Sequence, residues 1–401
     1  MKIPFSPPYI NKAVLQEVTS TLESGWITTG PKVKRLEDLV SKYTFSPNTL
    51  CVNSATSGLM LALKWYGVGK GDEVIIPAYT YAATALAVIH VGAIPVMVDV
   101  EDDFNISIEK IKNAITEKTK VIIPVDIAGW PCDYDAIKTL VDNKSSLFIP
   151  LIKNQEKLGR ILILADSAHS IGATYKNQFL GSVTDITVFS FHAVKNVTTA
   201  EGGAVCINLP KPFVNQDEYH FLRCYSLNGQ TKDAFTKSKA GGWRYDIIYP
   251  GLKINMPDIL AAIGVAQLPE YFEKTLDKRK EIYKVYHSFF TDKEWAILPP
   301  YKDQDRESSC HLYALRIKNI SESTRDTIIE KISKQGVAVN VHFQPLPMLT
   351  LFKDLGFDID NYPIAYENYK CEISLPIYPQ LDKGQLDYIL KSVENAVEST
   401  I

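Results

Sequence analysis

The chain has 401 residues, a formal net charge of -3 and a composition that is 46% hydrophobic and 22% charged. Such a length buries more than a single small core, and two or three domains are expected. The near-balanced charge, with no long single-sign run, leaves no electrostatic footprint for a nucleic acid. No apolar stretch approaches the length of a membrane span, and the start Met1-Lys2-Ile3-Pro4-Phe5-Ser6-Pro7-Pro8 lacks the pattern of a secretory leader, so a cytoplasmic location without a membrane partner is expected. Six cysteines, at 51, 132, 206, 224, 310 and 371, form no C-x-x-C pair. Free thiols in a reducing compartment and no metal site are the expectation.

In chain order, Val14, Val18 and Leu22 recur every four residues and predict an amphipathic helix. The polar loop Ser24-Gly25-Trp26-Ile27-Thr28-Thr29-Gly30 then interrupts it; Thr28 and Thr29 offer a substrate surface, or the loop is an ordinary connection. From about residue 50, short apolar runs alternate with amphipathic stretches, which is the pattern of a largely parallel sheet with helical crossovers. The predicted strands are 74–76, 95–100, 121–125, 161–165, 186–191 and 204–208.

Asn53-Ser54-Ala55-Thr56-Ser57-Gly58 precedes the helical run Leu59-Met60-Leu61-Ala62-Leu63. Free amides at such a helix start can cradle a phosphate, with hydroxyls from Thr56, Ser57 or Ser190 added, although the same composition also makes plain helix caps. Pro77 to Thr84 follows a strand at the carboxyl end, where parallel sheets place ligands. There Tyr81, in preference to Tyr79, is expected to cover a flat ring, or both simply pack on the sheet. The polar segment 142–157 reads as a surface excursion without chemical duty. Past Asn255, a long charged helix over 269–290 and alternating segments at 310–317 and 336–342 predict a smaller α+β domain. Leu386, Ile389, Leu390, Val393 and Val397 predict a closing helix. The expected division is 1–268 and 269–401.

Two ionisable residues stand at strand ends. Asp166 ends the run Ile161-Leu162-Ile163-Leu164-Ala165, and Lys195 follows Phe189-Ser190-Phe191-His192-Ala193-Val194, ahead of Asn196 to Gly203. Alone, the aspartate reads as a cap and the lysine as a solvated side chain. Together they read as a cofactor site. A lysine among apolar residues loses its proton readily and attacks an aldehyde, and pyridoxal 5'-phosphate (PLP) needs that amine together with a carboxylate at its pyridine nitrogen.

With these residues the chain resembles the DegT/DnrJ/EryC1/StrS family of sugar aminotransferases. The resemblance rests on Trp26 to Pro31, Asn53 to Leu59, Gly71 to Pro77, Pro95 to Asp99, Asp166-Ser167-Ala168-His169, Ser190 to Gly203 and Gly251 to Gln267. It implies fold type I: a large α/β domain on a mostly parallel seven-stranded sheet, plus a smaller C-terminal α+β domain. It also implies that Lys195 carries PLP, that Asp166 pairs with the ring nitrogen, that His169 and Tyr81 flank the ring, and that Thr56, Ser57 and Ser190 hold the phosphate. Related dehydratases carry histidine in place of the lysine, so Lys195 favours amino transfer. Lys253-Ile254-Asn255 stands where many members have Asn-Tyr-Arg, a variant similar to enzymes that aminate UDP-4-keto sugars. In the family this loop reaches the neighbouring subunit's cofactor, implying a homodimer with shared sites and a contact from Lys253 or Asn255. Asp126 replaces a histidine of the family. Thr28, Thr29, His192 and His342 are the expected substrate contacts; His342 matches a position near the substrate entrance in similar enzymes, with a structural histidine the alternative there.

The function implied is transfer of the amino group of L-glutamate, through the pyridoxamine 5'-phosphate (PMP) form of the cofactor, to C4 of a nucleotide-linked keto sugar. UDP-4-keto-6-deoxy-N-acetylhexosamine is the expected acceptor, for surface polysaccharide such as capsule or lipopolysaccharide. A PLP-dependent dehydratase and a non-catalytic regulator of the same fold are the rival readings.

Overall fold

The structure is a computed structural model that describes residues 1–232 and 243–401. Seven strands form its main sheet: β1 (Asn48–Val52), β2 (Glu73–Pro77), β3 (Ile94–Val98), β4 (Thr119–Ile122), β5 (Leu162–Asp166), β6 (Ile186–Ser190) and β7 (Gly203–Ile207). Their order is β1-β7-β6-β5-β4-β2-β3. Only β7 runs against the others, pairing antiparallel with both β1 and β6. β5, β6 and β7 are buried along their whole length, as expected of central strands covered by helices on both faces. Apolar runs such as Leu162-Ile163-Leu164-Ala165 therefore need no polar alternation.

The predicted strands agree with these within a few residues, but β1 went unrecognised. It begins on the polar pair Asn48-Thr49, and its pairing with Gly203 to Ile207 joins distant parts of the chain. In the first helix, Lys12–Glu23, Val14 and Thr21 are the buried residues and Leu22 is 56% exposed. The inward stripe thus runs from Val14 to Thr21, and the expected four-residue row leaves it progressively, with Val18 half-buried and Leu22 exposed. The segment 142–157 does have structural work: Asn154 Nδ2 donates to Trp65 O at 2.9 Å and buried Gln155 Nε2 donates to Tyr66 O at 2.8 Å. Both bonds satisfy carbonyls at the C-terminal end of the helix Ala55–Trp65.

A three-stranded sheet, Ala296–Ile297, Tyr313–Ile317 and Glu372–Leu375, carries the second core. Helices Leu276–Thr291, Glu322–Lys334 and Lys383–Glu398 cover it with Tyr286, Phe290, Ile328, Ile389 and Val393. All five apolar positions predicted for the closing helix are buried. Residues 336–342 form no full strand; Val337 and Asn340 make isolated bridges to Ile3 and Ser374. The long helical run starts at Asp258, ahead of the expected 269, and continues to Thr291 through a π turn at Tyr271–Thr275. Pro269 sits inside it. Proline cannot donate to the preceding turn, and the wider π turn that follows takes up the disturbance. The N-terminal strap crosses between the cores: Ile3 N donates to Gly336 O at 2.8 Å, while Phe5 lies near the main-sheet cavity described next.

Candidate active site

Four element ends meet on one side of the main sheet. β5 closes on Asp166, β6 closes on Ser190, β7 opens on Gly203, and the helix Ala55–Trp65 starts beside them because β1 brings Val52 level with Gly203. This is the edge at which parallel sheets bind ligands. A cavity of about 460 Å³ opens there, with Thr56, Asp166, His169, Ser190 and Lys195 in its wall.

Asp166 is 6% exposed. Its Oδ2 accepts from Thr84 Oγ1 at 2.8 Å and its Oδ1 from Ala168 N at 3.3 Å. Burial raises its carboxyl above the ordinary range, while the Thr84 hydroxyl, the Ala168 amide and the Lys195 charge hold the rise back. Lys195 sits in a tight turn, its amide donating to His192 O at 2.9 Å. The side chain is half-buried, and burial lowers its ammonium to about 8 against the opposing attraction of Asp166. A larger share of free amine at neutral pH follows than for a solvated lysine.

The turn after Asp166 is clamped from beneath by Asp126. That fully buried carboxylate accepts from Cys132 N at 2.9 Å, Tyr134 OH at 2.7 Å, Ser167 Oγ at 2.6 Å and Ser170 Oγ at 2.8 Å. Burial raises its carboxyl and these four donors counter the shift. His169, two residues past Ser167, is fixed by Ala128 N, which donates to its Nδ1 at 3.2 Å, so Nε2 carries the proton. Burial, with the Lys195 charge, holds this imidazole well below its usual pKa, and it is neutral. The ring lies 5.8 Å from Phe343 at 25°.

At the other end of the cavity, Ser54, Ala55 and Thr56 present the helix start. Ser57 is turned away, its amide donating to Ser54 Oγ at 3.1 Å and its hydroxyl accepting from the same oxygen at 2.9 Å. Gly203 permits the helix to abut β7, because a Cβ there would lie 2.7 Å from Ala55 N and 2.9 Å from Phe189 O. Neither backbone can yield. Gly203→Ala is therefore expected to destabilise the protein by about 1–3 kcal/mol, read as a fall in the thermal unfolding midpoint; an unchanged midpoint contradicts this packing.

Among the other predicted residues, Tyr81 lies on the cavity rim, 64% exposed and 5.7 Å from the Phe343 ring, whereas Tyr79 is buried with its hydroxyl donating to His342 O at 2.8 Å. His342 and His192 both line the cavity, and His192 Nε2 is 3.6 Å from Glu201 Oε1. The cavity wall does not include Thr28, Thr29, Lys253 or Asn255. Instead Thr29 Oγ1 donates to Met256 O and accepts from Asn255 Nδ2, both at 2.6 Å, and Asn255 Oδ1 accepts from Lys253 Nζ at 2.6 Å. Within one chain, this row of three is separate from Lys195. Sequence reasoning missed Thr84, Phe5, Phe343 and His311, whose proximity to the site arises only on folding. Among the described residues no group of three or more His, Cys, Asp or Glu could hold a metal ion, and no helix is long and apolar enough to cross a membrane.

Residues 8–394 match the DegT/DnrJ/EryC1/StrS aminotransferase family. The chain belongs to that family. It is thus a PLP-dependent aminotransferase of fold type I, as its solved relatives bear out. Spr1654 of Streptococcus pneumoniae, a proposed sugar aminotransferase, is 47% identical in its PMP form, with a TM-score of 0.96 over 100% of both chains. Its PLP form superposes with a TM-score of 0.95 at 46% identity, covering 100% of both chains. SpsC of Bacillus subtilis (strain 168), a spore coat polysaccharide biosynthesis protein, is 34% identical over 99% of this chain and 97% of its own. PseC of Helicobacter pylori, an aminotransferase of pseudaminic acid biosynthesis, is 26% identical with a TM-score of 0.86 over 100% of both chains. The aminotransferase cavity suits PLP in chemistry: an amine, a buried carboxylate and an amide-rich helix start share one enclosure.

Proposed function

We propose that the enzyme moves the amino group of L-glutamate to C4 of a nucleotide-linked keto sugar, with UDP-4-keto-6-deoxy-N-acetylhexosamine the favoured acceptor and surface polysaccharide the destination. The juxtaposition of Lys195 with buried Asp166 in one cavity carries this reading. The descriptions of Spr1654, SpsC and PseC support the sugar and the polysaccharide.

In this reading Lys195 attaches the cofactor, Asp166 holds a proton at its ring nitrogen, and His169 and Tyr81 flank the ring. Thr56 and Ser190, with the amides of the helix start, hold the phosphate. Ser57 contributes through its place in the turn. When bound, PLP supplies an electron-accepting ring to the amino-bearing carbon of the substrate. Thr84 orients Asp166 so that its negative charge stays at the ring nitrogen. Lys195, its pKa lowered to about 8, takes a proton from the donor carbon and returns one to the acceptor carbon, a dual role open to an amine whose pKa lies near the working pH. His192 and His342 meet the sugar at the cavity mouth.

Lys253, Asn255, Thr28 and Thr29 lie away from their own cavity, so in this reading they serve a second copy of the chain. The enzyme acts as a homodimer in which Lys253 or Asn255 completes the partner's phosphate site.

The free amine is the form that reacts with an aldehyde, so capture of added PLP by cofactor-free protein is expected to speed up with pH and level off, with a midpoint of about 8. The stability of cofactor-free protein follows the same sign. The folded-state pKa lies below the unfolded value, so the unfolded chain binds more protons between them, and stability rises with pH across that window. Stopped-flow capture rates between pH 6.5 and pH 9.5 check the first expectation; a midpoint near that of a solvated lysine contradicts it. The reaction class is tested with ¹⁵N-labelled glutamate: the label is expected on the sugar product, whereas a deoxygenated sugar without label indicates the dehydratase.

A further inference from the structure

We propose that His311 is a specificity-determining acceptor, presenting a bare Nε2 to a hydroxyl of the bound sugar because Asn196, the residue after Lys195, locks the proton onto Nδ1. This rests on the sugar-acceptor reading above and assigns one of its contacts.

The tautomer follows from donors and acceptors alone. Tyr271 OH donates its only proton to Ile171 O at 2.7 Å, so its oxygen can only accept from Asn196, 3.0 Å away. Ser309 O, a carbonyl, can only accept, and it too lies 3.0 Å from the same Asn196 nitrogen. These contacts fix the carboxamide with Nδ2 toward Tyr271 and Ser309. Its Oδ1 therefore faces His311 Nδ1, at 2.8 Å, and an amide oxygen has no proton to give. Nδ1 must be the protonated nitrogen. Burial, with the nearby positive charges of Lys195 and Arg279, holds the ring well below its usual pKa and neutral, so Nε2 keeps its lone pair.

His311 is 5% exposed and lines the cavity. Its ring lies 4.4 Å from that of His169, whose tautomer is the opposite one. The two neutral imidazoles thus give the same wall one N–H donor and one acceptor. An uncharged acceptor gives no attraction to phosphate or carboxylate oxygens, nor to a keto oxygen, which only accept. It binds an O–H donor, and a sugar ring supplies those next to the carbon being aminated. Lys195 and Asn196 are neighbours in sequence, so the turn that places the amine also orients this acceptor.

The test has two arms on the full-length holoenzyme. Two-bond ¹H–¹⁵N spectra of protein labelled in histidine, with the His311 signal assigned by its loss in His311→Phe, are expected to show a neutral ring protonated at Nδ1. Protonation at Nε2, or on both nitrogens at neutral pH, overturns the proposal. In the second arm, UDP-4-keto-6-deoxy-N-acetylglucosamine is the probe. His311→Phe is expected to raise its KM about 10-fold, the scale of one uncharged hydrogen bond, more than it raises the KM for glutamate. His311→Gln, which can place an oxygen near the same point, is expected to recover part of the loss. Equal effects on both substrates, or no recovery with glutamine, overturn the proposal. A wild-type enzyme that turns over glutamate but not this sugar overturns the acceptor assignment of the preceding section, and the tautomer arm still decides the state of His311.

Discussion

Lys195→Ala is expected to lower turnover by roughly 10⁴-fold, at the upper end of what a positioned acid or base contributes. Both half-reactions should fall together, because in the proposed mechanism one amine serves both as the attachment point and as the proton carrier. The substitution removes a half-buried side chain whose burial is unfavourable to its charge, so the fold should survive. Single-turnover rates with glutamate, and separately with the keto sugar, check this. A variant that loses only one half-reaction, or neither, contradicts the role given to Lys195.

Asp166→Asn keeps the shape of the side chain and removes its charge. Thr84 can still donate to the carboxamide oxygen, so the geometry at 2.8 Å has a neutral counterpart. In the proposed arrangement the loss would be electrostatic: without the buried anion, nothing would hold a proton at the ring nitrogen, and the ring would accept electrons poorly. A fall of roughly 10²- to 10³-fold in the rate of the donor half-reaction is expected, comparable to removal of one preorganised electrostatic partner. The fall should be accompanied by a changed pH dependence of the bound cofactor's absorption. An unchanged rate in Asp166→Asn places the ring nitrogen elsewhere.

The parts of the fold that were legible in the sequence are those where one physical demand dominates. Central strands buried on both faces are largely apolar, and Leu162–Asp166 up to its last residue, and Ile186–Ser190 apart from Thr187 and Ser190, read as such. Asp166 broke that apolarity at a strand end and so stood out. Lys195, expected at a strand end as well, lies five residues beyond Ser190 in a turn, and it stood out by following the apolar run rather than by ending the strand. β1 did not, because Asn48-Thr49 resembles loop sequence until Gly203 to Ile207 pairs with it. Leu22 misled for a related reason, since a helix of twelve residues has several apolar rows and only its neighbours decide which one is buried. His311 was hidden within an apolar alternation, and its partner Asn196 is 115 residues away. The bond that fixes its tautomer comes into being only when the two cores close on each other. Lys253 and Asn255 present the opposite case: the resemblance marked them, yet within one chain they bond to each other and to Thr29, outside the cavity. A polar row of that kind makes sense at a boundary shared with a second copy, where the homodimer reading places it.

The most direct test is the visible absorption spectrum of the PLP-loaded protein, taken after glutamate and again after UDP-4-keto-6-deoxy-N-acetylglucosamine. Loss of the lysine-bound cofactor band with glutamate and its return with the sugar is the predicted result. A band that glutamate leaves unchanged contradicts the assignment of this cavity to glutamate-driven amino transfer.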